Sequence, residues 1–367
     1  MKKLIGVMLA LCMLVIVVGC GATSSSAPSE PDAVNDPNAY LAELFHGIDK
    51  LEERDGAFGE AKIGGGSFVP MRFSHERLAA YEAYNETAKI KAPYFHCTVG
   101  VRMDFYTDAS TISFHFSIID GFFDGKPEYA VDTFNIFENG EFMKSVDVVK
   151  GSASDLTYTR TSTEPESRIT IVFPGYHGVS LSNLQLGNTR PVEDYEHKIL
   201  VFGDSISQGL FADKPADNYV HQVATALNAD YMNLSVGGEV YRADALDENI
   251  NFEPTHILVA LGTNDYYSNM TPAKVKNNAD AYFEKLSAIY PDIPVTVIAP
   301  FGNIPDVYYK NIKEAATPYG YDVIDGTTLI SKKVSSWNQD NVHPSTLGFN
   351  EITAALAPIL QEKLNSK

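Results

Sequence analysis

Across residues 94–186 apolar and polar positions alternate in short stretches, at 100–107, 111–118, 133–137 and 168–173. In the second stretch Ile112, Phe114, Phe116 and Ile118 fall on one side and Ser113, His115 and Ser117 on the other. That is the two-residue period of a strand buried on one face. Glu138-Asn139-Gly140-Glu141 reads as a hairpin turn between two such strands. Short strands at this spacing predict a β-sandwich, with the polar, helix-like stretch 74–88 and Gly64-Gly65-Gly66 as an entry strap ahead of it.

After Pro191 the period changes. Residues 198–202, 229–235, 256–261, 294–299 and 321–325 are compact apolar runs without alternation, and between them lie stretches long enough for helices at 219–227, 272–290, 308–317 and 347–364. Continuous apolar strands alternating with helices predict a parallel sheet covered on both faces, a three-layer α/β domain. Ligand chemistry in such sheets gathers beyond the carboxyl ends of the strands. The division expected is a leader at 1–19, a Ser/Pro-rich tether and linker at 20–58, a sandwich at 59–190 and the α/β domain at 191–367.

The N-terminus changes the picture of where this body works. Lys2 and Lys3 precede an uncharged apolar run from Leu4 to Val18, which Gly19 and Cys20 close. The run is short for a membrane span and has the layout of a secretory signal. Val17-Val18-Gly19-Cys20 resembles the lipobox of bacterial lipoproteins, which implies that Cys20 is acylated and becomes the mature N-terminus. The segment Ser24-Ser25-Ser26-Ala27-Pro28-Ser29-Glu30-Pro31 cannot pack a core and suits a tether. The expectation is a protein outside the cytoplasmic membrane, held to it by lipid alone. Cys12 lies in the leader and Cys20 would carry lipid, which leaves Cys97 by itself and excludes a disulfide framework within one chain. With 28 Lys and Arg against 47 Asp and Glu, the net charge of −19 repels phosphate backbones, so nucleic acid is excluded as a partner, whereas neutral esters and carbohydrate are not.

Four polar motifs carry candidate chemistry, three of them at predicted strand ends. Gly203-Asp204-Ser205 follows the first α/β strand, which puts Ser205 at a tight turn where a strand is expected to meet a helix and helix-start N–H groups would face an oxyanion. Taken alone, Ser205 serves as readily as a helix cap. Asn233-Leu234-Ser235-Val236-Gly237-Gly238 ends the second strand, where a glycine lets a backbone N–H approach a substrate. Gly262-Thr263-Asn264-Asp265 ends the third, and the Asn264 amide can donate to an oxyanion or to its own turn. Asp340-Asn341-Val342-His343 lies in a loop before the last helix; His343 can act as base for Ser205 with Asp340 orienting it, or both can be surface polar groups.

In this order the four blocks resemble the SGNH, or GDSL-type, hydrolases. The resemblance covers the C-terminal half of the chain and implies Ser205 as nucleophile, His343 as general base and Asp340 as its orienter. It also implies an oxyanion hole from the Ser205 N–H, the Gly238 N–H and the Asn264 side chain, with Gly238 preferred to Gly237 by its spacing from Asn233. A jelly-roll-like sandwich ahead of such a domain, with Phe173-Pro174 before Val179-Ser180-Leu181, is similar to carbohydrate esterases of family 2. Together they imply a serine esterase that removes acetyl groups from carbohydrate through an acyl-enzyme, with neither cofactor nor metal. Zinc-ligand spacings and phosphate-cradling glycine loops are not apparent in the sequence. Two other readings stay open here, an SGNH acyl-hydrolase or lipase on other esters and a non-catalytic glycan-binding lipoprotein.

Overall fold

The computed structural model describes residues 37–54, 67–88, 95–121, 132–149, 153–246 and 249–365. The leader, Cys20, the Ser/Pro run and Gly64–Gly66 lie outside them. Among the described residues no helix is long and apolar enough to cross a membrane.

Two antiparallel sheets form the sandwich. Its strands are β1 (Phe45–His46), β2 (Lys50–Arg54), β3 (Ser67–Met71), β4 (Arg102–Thr107), β5 (Thr111–Gly121), β6 (Asp132–Glu138), β7 (Glu141–Val148), β8 (Ala153–Thr159), β9 (Ser167–Val172), β10 (His177–Gln185) and β11 (Thr189–Pro191). One sheet runs β1-β4-β9-β6-β7 with β11 also on β4, the other β2-β3-β10-β5-β8. Alternation decides which side chains enter the core between them: Ile112, Phe114 and Phe116 of β5 meet Phe134 and Ile136 of β6, Ile169 and Ile171 of β9, and Val179 and Leu181 of β10. At the β6–β7 hairpin Asn139 and Gly140 both take positive φ, 51° and 84°. This mirror-image turn matches the right-handed twist of the strands, and it is why an Asn-Gly pair stands there.

The sandwich begins earlier than the boundary at residue 59. Strands β1 and β2 pair with β4 and β3, so part of the expected tether at 20–58 is sheet. They lie at or near sheet edges, where a strand needs little apolar alternation, and Lys50-Leu51-Glu52-Glu53-Arg54 shows almost none. At the other end β11 carries the sandwich through Pro191. The helix His75–Ala88 forms where the polar helix-like stretch predicted one.

The second body holds a five-stranded parallel sheet of β12 (His197–Gly203), β13 (Ala229–Asn233), β14 (His256–Ala260), β15 (Val295–Ala299) and β16 (Asp322–Asp325), in the order β13-β12-β14-β15-β16. Because both faces are covered, successive residues of one strand enter different cores. Leu200 and Phe202 of β12 pack with Val275, Ala279, Phe283 and Leu286 of the helix Pro272–Ile289 and with Ile312 of the helix Asp306–Ala316. Ile199 and Val201 pack on the opposite side with Val220 and Val223 of the helix Tyr219–Ala226 and with Phe349, Ile352 and Leu356 of the helix Thr346–Asn365. This is a three-layer α/β fold around a parallel sheet, behind an antiparallel β-rich region. The strand order reverses around β12, so the crevice at its carboxyl end, shared with β13 and β14, is where a ligand fits.

The two bodies are joined by buried polar contacts as well as apolar ones. Arg102 of β4, 3% exposed, pairs with Asp230 of β13 and stacks on the Tyr231 ring, 4.3 Å from its centroid, while His46 Nδ1 lies 3.1 Å from the same carboxylate. Burial pushes the Asp230 carboxyl up, but the Arg102 charge and the His46 bond outweigh it and hold the group well below the usual carboxylate range.

Candidate active site

Strand β12 delivers Gly203-Asp204-Ser205 to the crevice. A Cβ on Gly203 would lie 2.4 Å from Ser207 Oγ, so only glycine lets the chain turn so tightly. Asp204 Oδ1 accepts from the Ile206 N–H at 2.9 Å, and the segment then closes on itself by Gln208 N–H to Asp204 O and Leu210 N–H to Ser205 O, both 2.9 Å. The helix expected from Ser205 does not form: residues 205–211 are a run of turns, broken by Gly209 at φ 83°. Any oxyanion donor here is therefore an individual N–H and gains no aligned helix dipole.

Ser205 is 8% exposed, and its Oγ lies 2.7 Å from His343 Nε2. His343 Nδ1 lies 2.6 Å from Asp340 Oδ2, and the other carboxylate oxygen, Oδ1, accepts from the Val342 and His343 N–H groups, each at 3.0 Å. Burial pushes the Asp340 carboxyl up, yet the His343 bond and the two backbone donors prevail and bring it down to about 2. The loop is closed by the Asn338 N–H on His343 O at 2.9 Å and Asn338 Nδ2 on Pro344 O at 2.8 Å, with Asn341 at φ 55° between acid and base. Sequence separation of 138 residues between Ser205 and His343 is bridged by one hydrogen bond.

The oxyanion candidates sit on the neighbouring strand ends. Val236, Gly237, Gly238 and Glu239 form a turn closed by Glu239 N–H to Val236 O at 3.0 Å, with Gly238 exposed and at φ 85° in its third position. A left-handed backbone there explains why Gly238 is a glycine. Asn264 is the second residue of the short helix Thr263–Tyr267, and one of its two amide hydrogens goes to Glu239 O at 3.1 Å. The Tyr241 N–H meets the Asp265 carboxylate at 3.3 Å, so the second and third motifs are bonded to each other. Burial pushes the Asp204 and Asp265 carboxyls up to about 7, and the nearby Glu239 charge adds to the rise at both, as does the Asp265 charge at Asp204.

Several residues that shape this site come from the sandwich side and carry no sequence signal. Arg72 Nη1 donates to Asn233 O at 2.8 Å and Ser235 O at 3.1 Å, and Tyr81 Oη donates to Glu239 Oε2 at 2.8 Å. Cys97 is buried, and its Sγ accepts from Gln208 Nε2 at 3.0 Å. A cavity of about 440 Å³ lies behind Arg72 and Cys97, but none of Ser205, His343 or Asp340 lines it, and the reactive groups are elsewhere.

A serine hydrogen-bonded to a carboxylate-oriented histidine, on this sheet, defines the class: a carboxylic ester hydrolase of the SGNH fold. Residues 201–350 match the model of the GDSL-like Lipase/Acylhydrolase family. Among solved structures it is similar to the salicylyl-acyltransferase SsfX3 from a tetracycline biosynthetic pathway, at 16% identity and TM-score 0.69 over 87% of this chain and 94% of that one. It is also similar to a family two carbohydrate esterase from Cellvibrio japonicus, at 14% identity and TM-score 0.59 over 88% and 97%. A third likeness is to the acetyl xylan esterase Est2A from the rumen bacterium Butyrivibrio proteoclasticus, at 17% identity and TM-score 0.56 over 74% and 92%. At these identities the likeness is one of fold, and its extent takes in the β-rich region as well as the α/β domain. No curated protein sequence matches the chain.

Proposed function

We propose that the protein deacetylates carbohydrate, with Ser205 as nucleophile, His343 as general base and Asp340 as orienter. The observation that carries this reading is the continuous hydrogen-bonded line from Ser205 Oγ through the imidazole to Asp340. His343 takes the Ser205 proton as Oγ attacks the ester carbonyl, and the Ser205 N–H, the Gly238 N–H and the remaining Asn264 amide hydrogen receive the oxyanion. Collapse expels the sugar hydroxyl with the proton from His343, and water activated by the same imidazole releases acetate. The preference for acetylated sugar is supported by the two-body architecture shared with the family two carbohydrate esterase and the acetyl xylan esterase.

The test is acetate release from acetylated xylan by the purified chain, beside acetyl and decanoyl esters of p-nitrophenol. Release from the glycan with Ser205→Ala inactive supports the reading; faster turnover of the decanoyl ester assigns the protein to longer acyl chains. We also propose attachment through lipid on Cys20 at the outer face of the cytoplasmic membrane, from the charged start, apolar run and small residue before that cysteine. Labelled fatty acid should enter the wild type and not Cys20→Ala; incorporation into the variant overturns the assignment.

A further inference from the structure

Among the described residues six that are not glycine take positive φ, and five of them are asparagines, the side chain that tolerates this region best. The sixth is Phe211, at φ 71°. A bulky residue in the left-handed region is a backbone outlier that persists only where its surroundings impose it, and such outliers gather at functional sites. Phe211 is the third residue of a turn in which Ala212 N–H reaches Gly209 O at 3.0 Å, a position that glycine fills without strain. The Phe211 side chain is half-buried and belongs to none of the three apolar cores of the described residues.

What the ring meets is the catalytic imidazole, centroid to centroid 5.2 Å at 58°. The backbone under it is held from both bodies. Tyr176, in the turn between β9 and β10, accepts from the Phe211 N–H at 2.7 Å and donates to Gly209 O at 3.2 Å. Tyr176 is in turn fixed by Asp132 at the start of β6, whose carboxylate accepts from the Gly175 N–H at 3.0 Å and the Tyr176 N–H at 2.7 Å. On the far side Asp213 N–H reaches Thr346 Oγ1 at 2.9 Å, three residues beyond His343.

During acyl transfer the imidazole hands its proton to the leaving oxygen, so the alcohol part of the ester lies against the imidazole, away from the donors on Gly238 and Asn264. We infer that Phe211 is a specificity-determining residue whose ring borders the alcohol site and receives the C–H face of a sugar, and that Tyr176 is the positioning residue through which the sandwich holds it there. The inference rests on the carbohydrate reading above. Apolar sugar C–H groups suit an aromatic face, whereas a short aliphatic alcohol offers little area to it.

The experiment compares the full chain with Phe211→Gly, Phe211→Tyr and Tyr176→Phe on acetylated xylo-oligosaccharides and on ethyl acetate, whose alcohol has no ring face. Phe211→Gly should lower the ratio of kcat/KM for the sugar ester over ethyl acetate ~10- to 100-fold, mainly through KM, as expected for removal of one apolar contact. Its Tm should equal or exceed that of the wild type, because glycine releases the strain. Phe211→Tyr should restore the ratio, and Tyr176→Phe should lower it by less than Phe211→Gly. Equal losses on both esters, or a lowered Tm with an unchanged ratio, would show a merely structural role and overturn the inference while leaving the carbohydrate reading intact. A wild type that cleaves ethyl acetate and not the sugar ester overturns both.

Discussion

Replacing Asp340 by asparagine tests the orientation of the base most sharply, because the structure dictates which way the new amide must face. Asp340 Oδ1 accepts two backbone N–H groups at 3.0 Å while Oδ2 takes His343 Nδ1 at 2.6 Å. In Asp340→Asn only the amide oxygen can accept those two donors; turning the NH2 toward them would leave both unmatched, at about 1–3 kcal/mol for each group lost from its partner. The NH2 therefore faces Nδ1 and donates to it, which moves the imidazole proton to Nε2. A protonated Nε2 cannot accept the Ser205 proton. At the stated cost of flipping, the productive tautomer falls to a minor fraction, and the imidazolium formed on attack has lost its counter-charge as well. The expected loss in kcat is on the order of 10⁴, equivalent to ~5.5 kcal/mol. Asp340→Ala removes charge and orientation but leaves the tautomer free, so its loss should be smaller, about 10³, and smaller than that of His343→Ala. The assay is kcat on one acetyl ester at fixed pH, with folding of each variant checked by circular dichroism. If Asp340→Asn turned over faster than Asp340→Ala, the argument from the pinned Oδ1 would be refuted.

Asn264→Ala removes one of the three proposed oxyanion donors and the bond to Glu239 O, so kcat should fall ~10²–10³ with the proposed nucleophile and base in place; a variant with wild-type kcat would remove Asn264 from the oxyanion hole. Arg102→Met leaves Asp230 buried without its main cation, which should cost about 3–5 kcal/mol in a urea unfolding series; a loss under ~1 kcal/mol would mean the pair does not hold the two bodies together. Asp204 and Asp265, whose carboxyls burial raises from 3.8 to about 7, bind protons in the folded state that the unfolded chain has already released. Their contribution therefore favours folding at acid pH and is lost as pH rises through about 7. Asp204→Asn and Asp265→Asn should each flatten the decline in Tm between those pH values, and variants whose Tm follows pH as steeply as the wild type would contradict it.

Period and order were legible before any coordinates: alternation placed Ile112, Phe114 and Phe116 in a sandwich core, continuous apolar runs announced the covered sheet, and both rest on contacts within one element. The four polar motifs were legible because each is contiguous, three of them following strands and residues 340–343 in the loop before the last helix. Edge strands β1 and β2 were not, since a strand at an edge can be nearly all polar and still pair. The missing helix after Ser205 was not, because the turn bonds of residues 204–210 and the bonds of Asn218 and Asn233 to Ser207 O outweigh its local preference. Tyr176 and Arg72 lie 35 and 161 residues from the partners they hold. No periodicity or motif encodes such pairings, because hydrogen bonds between distant segments depend on how two bodies dock. The fold class and the motifs that form the candidate site are thus properties of short segments. Which side chain presses on the imidazole, and in what strained conformation, only the docking of the sandwich against the α/β domain decides.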